Sequence, residues 1–119
     1  MTARPPILAL VRDLIFSTKI TTTARAAGIE VKIVRDPVKL ADETGMLLLV
    51  DLNLQGAIDA AAAWLAAQGG QVVGFVSHVD VETTSAARAA GIERVMARSR
   101  FVQVLPQLLT DDASPATTE

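Results

Sequence analysis

The sequence predicts an α/β domain organised as a doubly wound, five-stranded parallel sheet, and three observations carry that reading. Residues 46–50, Met-Leu-Leu-Leu-Val, form an uninterrupted apolar run that ends in Asp51. The run is too short to span a membrane and lacks helical spacing, so it fits a central strand covered on both faces. Further short apolar runs alternate with longer segments of helical character, several closed by glycine, which is the pattern of strand–helix–strand crossovers. Hydrophobic residues make up 50% of the chain, yet it has 3 Phe and 1 Trp, so the core is built from Ala, Val, Leu and Ile, side chains that let helices pack closely on a sheet.

At 119 residues the chain is expected to form one domain over residues 1–109, large enough to bury a core without metal or disulfide staples, followed by a polar, disordered tail over 110–119. The absence of cysteine excludes disulfides, thiolate metal sites and cysteine nucleophiles. The formal net charge is -2 and no basic run stands out, so neither nucleic acid nor a membrane is an expected partner. The N-terminal stretch MTARPPILALVRD reaches a charge after a short apolar segment and has no small-residue cleavage site, so it does not read as a signal peptide and a cytoplasmic location is expected.

Ile7 to Val11 reads as the first buried strand, bounded by Arg12-Asp13. A helix is expected from about Ile15 to Ala27, with Ile20, Ala24 and Ala27 on one face and Gly28 as its cap. The Thr21-Thr22-Thr23 run weakens that helix, because β-branched side chains lose rotamer freedom there. Ile29 to Val34 alternates Val31 and Ile33 with Lys32 and reads as an edge strand with one wet face. Asp36-Pro37 starts a short second helix that ends near Thr44-Gly45. After the central strand, an alanine-rich helix runs from Ala57 to Gln68 and is closed by Gly69-Gly70; Ile58, Ala61, Ala62 and Leu65 form its inner stripe, bordered by Trp64. Gln71 to Val76 is the fourth strand, ending at Ser77-His78. Asp80 caps a fourth helix that reaches Ala90, Ile92 to Ala97 is the fifth strand, and Phe101 to Leu109 is a last helix that Pro106 kinks or delays.

One heptapeptide occurs twice: Ala24 to Glu30 and Ala87 to Glu93 both read ARAAGIE. A duplicated ligand-binding half is one explanation. The simpler one, adopted here, is that both segments solve the same local problem, a small-faced helix stopped by glycine ahead of a strand.

Right-handed crossovers over short connections give the strand order 2-1-3-4-5, a flavodoxin-like topology whose switch point lies between strands 1 and 3, where Asp13 and Asp51 should meet. The carboxyl ends of the strands then supply Arg12 and Asp13, Asp51 and Asn53, Ser77 and His78, and Arg98 and Ser99. Two carboxylates from adjacent strands can share a hard divalent cation, and a hydroxyl and a cation opposite them can hold a phosphoryl group.

In the order and spacing of these residues the chain, from about Pro6 to Leu109, resembles the receiver domains of two-component response regulators, of the chemotaxis-regulator-like kind. The resemblance implies that VDLNLQG is the phosphoacceptor segment, with Asp51 accepting a phosphoryl group from a histidine kinase. It implies that Asp13 is the second acid of a magnesium-binding pair and that Asn53 offers its backbone carbonyl to the same Mg2+. Ser77 matches the switch hydroxyl, and GIERVMARSRF resembles the strand-5 segment, with Arg98 in the place of a phosphoryl-contacting lysine. Arg12 stands where the first acid belongs, Ser99 where a proline belongs, and Val95 where many receivers carry an aromatic that couples site to surface. His78 follows the switch serine, where a smaller residue leaves a path to the acceptor.

The direction of Arg12 decides between readings. Turned inward, it pairs with Asp51 or Asp13 and takes the metal's place, which would make the chain a pseudo-receiver; turned to solvent, it leaves the site open to Mg2+. The first reading is a single-domain signalling protein with a degenerate phosphorylation site that acts by protein contact, through the face of the fourth helix, fifth strand and fifth helix. The second is a conventional phosphorelay response regulator phosphorylated on Asp51. The third is a binder of a small anionic ligand or nucleotide at the switch point, using Arg12 and Arg98. The protein partner would be a histidine kinase or a downstream effector, and homodimer formation through the low-charge helix faces is an alternative. The segment after strand 1, with Ser17, Thr18 and the Thr run, lacks the glycine of a phosphate loop, and the chain has no tyrosine to stack on a flavin. No nucleophile–base pair or cofactor loop is present, so the chain is not expected to be an enzyme, and a single histidine cannot build a metal site with a second His or Cys.

Overall fold

The computed structural model describes residues 6–77 and 80–111. Strands β1 (Ile7–Leu10), β2 (Val31–Val34), β3 (Leu47–Asp51), β4 (Gln71–Val76) and β5 (Arg94–Ala97) alternate with helices α1 (Leu14–Ala26), α2 (Ala57–Gln68), α3 (Val81–Ala89) and α4 (Arg98–Asp111), and a 3-10 helix, Pro37–Asp42, joins β2 to β3. All pairings are parallel and the order is β2-β1-β3-β4-β5. The strand order expected from the sequence is therefore the one observed.

The central strand explains the layering. Leu47 and Leu49 point into one apolar cluster with Phe16, Ile20, Phe75, Phe101 and Leu105, whereas Leu48 and Val50 point into a second with Leu40, Ala61, Trp64 and Ile92. Successive side chains of a strand face opposite ways, so a continuous apolar run is what a sheet covered on both sides requires. Helices α1 and α4 cover the first face; α2, α3 and the 3-10 helix cover the second. No helix of the described residues is long and apolar enough to cross a membrane.

Several local readings are refined. The second helix is a 3-10 turn that ends at Asp42, with Asp36 accepting from the Val38 N–H and Leu40 as its buried residue. Trp64 lies inside the α2 stripe, 2% exposed, while Ile58, Ala62 and Leu65 are half-buried. Its indole Nε1 donates to the Glu43 carbonyl at 3.1 Å, which satisfies the polar edge and lets the whole ring be buried. Ala27 caps α1 and does not pack in its inner face. Ser17 and Thr18 donate to the Leu14 carbonyl and Thr21 to that of Thr18, so hydroxyls of α1 bond to the preceding turn. The last helix begins at Arg98, directly after β5, and continues through Pro106 to Asp111, so Thr110 and Asp111 belong to it. The remainder of the expected tail lies outside the described residues.

Gly74 is a close-approach position. A Cβ there would lie 2.6 Å from Leu52 Cδ1, so glycine in β4 makes room for the residue that follows Asp51.

Candidate functional site at the carboxyl edge

Sheet register places the acids. Leu10 is level with Val50, so Asp13 leaves β1 beside Asp51 at the end of β3, and Asp51 is level with Phe75 on β4. Phe75 is level with Met96, and Arg98 follows β5 two residues later. Three elements therefore converge on one point.

Arg98 occupies that point. Its guanidinium nitrogens lie 3.7 Å from Asp13 Oδ2 and 3.7 Å from Asp51 Oδ2, so one cation bridges both carboxylates as ion pairs. Its Cζ sits 4.4 Å from the centre of the Phe16 ring and 5.8 Å from that of Phe75. Phe75 in turn packs on Phe101 with ring centroids 4.4 Å apart, so the chain's three phenylalanines meet beneath this arginine. A ring face attracts a cation that has given up part of its water, and it fixes where the guanidinium lies. Arg98 Nε is buried with no hydrogen-bond partner.

Each acid has its other oxygen committed to the backbone. Asp13 Oδ1 accepts from the Ile15 and Phe16 N–H groups at 2.9 and 3.1 Å and caps α1. Asp51 Oδ1 accepts from the Asn53 N–H at 3.0 Å. The Asn53 side chain then reaches across to β4: its Oδ1 accepts from the Ser77 N–H at 2.6 Å, and its Nδ2 donates to Asp80 Oδ2 at 3.4 Å.

Of the residues singled out from the sequence, Asp13, Asp51 and Arg98 are brought together. Asn53 joins through its N–H and its side chain, and Ser77 takes part through its backbone N–H. Arg12 does not enter the pocket. Its Nε donates to the Arg35 carbonyl at 3.3 Å and Arg35 Nη2 returns a bond to the Arg12 carbonyl at 3.3 Å, so the side chain turns toward the end of β2. Of the two directions open to Arg12 from the sequence, the outward one is seen: the cation beside the acids is Arg98, and the acids face one arginine. His78 lies outside the described residues. The phenylalanine platform was not anticipated; the signal for it was that Phe16, Phe75 and Phe101 all lie near strand carboxyl ends.

A divalent cation would compete with Arg98 for this donor set. Mg2+ is commonly held through one or two carboxylates and keeps several waters. Here two carboxylates each spend one oxygen on backbone N–H groups and present the other to a guanidinium. Among the described residues no group of three or more His, Asp or Glu side chains could hold a metal ion.

No family model matches the chain, and no curated protein sequence matches it. Solved structures do. The phosphorylated cyanobacterial phytochrome response regulator RcpA superposes with a TM-score of 0.79 at 18% identity, over 97% of this chain and 98% of that one. The manganese-bound form of the response regulator Rcp1 gives 0.76 at 14% identity, over 97% and 99%. A response regulator of Burkholderia pseudomallei, with a phosphorylated aspartic acid, calcium ion and citrate, gives 0.73 at 15% identity, over 92% and 69%. The chain therefore has the flavodoxin-like fold of response-regulator receiver domains.

Proposed function

We infer that this chain is a cytoplasmic, receiver-like signalling module that acts by contact with a protein partner and not by turnover, and that its phosphorylation site is closed by an internal cation. The observation that carries this reading is Arg98 bridging Asp13 and Asp51. With Arg12 turned away, the two acids and Arg98 leave a single net negative charge, and admitting a metal requires breaking both ion pairs and lifting the arginine off its rings. For the contact surface, α3 and β5 border a groove of about 370 Å3 with Val76, Val81, Val95 and Met96 among its lining residues. The partner would be a sensor kinase or an effector.

A second reading has one observation in its favour. Because Arg12 is tied to Arg35, the residue in the first acid's place does not block Asp51, and a conventional Mg2+-dependent phosphoacceptor would need only Arg98 to withdraw.

Intact mass spectrometry after incubation with Mg2+ and acetyl phosphate separates the two. The parent should gain no phosphoryl group, and the variant Arg12→Asp/Arg98→Lys, which restores the receiver pattern, serves as the positive comparison. An adduct on the parent that disappears in Asp51→Asn would overturn the closed-site reading in favour of the second.

A further inference from the structure

We propose that Asn53 is a coupling residue that transmits the state of the Asp51–Arg98 pair to the start of α3 and so to the α3–β5 groove. The link is made of hydrogen bonds and depends on neither phosphorylation nor metal binding. Asn53 meets Asp51 through its backbone N–H at 3.0 Å, Ser77 through Oδ1 at 2.6 Å and Asp80 through Nδ2 at 3.4 Å. One orientation of the amide satisfies both side-chain contacts, because a backbone N–H requires an acceptor and a carboxylate requires a donor.

Asp80 in turn sets the first turn of α3. Its Oδ1 accepts from the Thr83 N–H at 3.0 Å, and its Oδ2 accepts from the Thr83 hydroxyl at 2.7 Å. Asp80, Val81 and Thr84 then line the groove against Val76 and β5. A continuous run of bonds thus joins the acid at the end of β3 to a surface formed by two later elements. Asn53 is exposed, so its side chain is not needed for core packing, and what it holds is the relation between the β3 end and the α3 cap. Val95 on β5 is half-buried against the second apolar cluster and offers no polar route to the site. When the Asp51–Arg98 pair is broken, Asp51 shifts with the Asn53 N–H that it holds, and the side chain carries that shift to Asp80.

The test compares backbone amide chemical shifts of the full chain in two backgrounds. Arg98→Met, which breaks the pair, should move the amides of Val81, Thr84 and Ser85, remote in sequence from Arg98, in the parent. In Asn53→Ala the same substitution should leave those amides nearly unmoved, while amides next to Asp51 still respond. Hydrogen exchange at the Ser77 amide should quicken about tenfold in Asn53→Ala with the global stability retained, as expected for one lost hydrogen bond. Equal groove shifts in both backgrounds, or no groove shift in the parent, would overturn the proposal.

Discussion

Arg98 is held by residues that the chain separates widely: Asp13 and Phe16 around the start of α1, Asp51 at the end of β3 and Phe75 in β4. Arg98 is 29% exposed and Asp51 13%, so their pair sits where water screens it incompletely. A double-mutant cycle of Asp51→Asn and Arg98→Met, read by urea unfolding, should give a coupling free energy of about 1 kcal/mol or more. Arg12→Ala, by contrast, should change stability by less than about 0.5 kcal/mol and add independently to Asp51→Asn, because the exposed Arg12 bonds a carbonyl of β2's end and not an acid. Additivity at Arg98 together with coupling at Arg12 would reverse the assignment of the pocket's cation.

At the scale of elements, the repeated heptapeptide builds the same turn twice. Gly28 N–H donates to the Arg25 carbonyl and Ile29 N–H to that of Ala24; Gly91 N–H donates to Arg88 and Ile92 N–H to Ala87. Ala24 and Ala87 are both buried, and Gly28 and Gly91 have φ of 73° and 102°. This is the helix stop in which a left-handed glycine lets two N–H groups reach back to the last turn. Gly28→Ala and Gly91→Ala should each cost about 1 kcal/mol by urea unfolding, since alanine pays for the left-handed backbone without gaining a contact. A cost at one position and none at the other would show that the two turns are not equivalent. The repeat was legible as a local device because its letters alone specify the cap. The 3-10 character of the second helix was not, because Asp36-Pro37 marks a start but says nothing of pitch, which here follows a segment of six residues that buries Leu40 alone.

Across the whole molecule, the strand order was legible because each strand announces itself by an apolar run and parallel crossovers leave few ways to arrange five of them. The meeting of Asp13 with Asp51 follows from that order and register. What a linear reading could not decide is which strand-end arginine turns inward, since Arg12 and Arg98 stand in comparable places along the chain. Their surroundings decide it: the Phe16 and Phe75 rings lie under Arg98, backed by Phe101, whereas Arg12 finds the carbonyl of Arg35. On the reading proposed above, Arg98 takes the place a divalent cation would need. Titration with Mn2+, followed by amide signal broadening, probes this. In the parent, the amides of Asp13, Asp51 and Asn53 should broaden no more than those of the rest of the surface at millimolar metal, and in Arg98→Ala they should broaden first. Selective broadening of those amides in the parent would contradict the account.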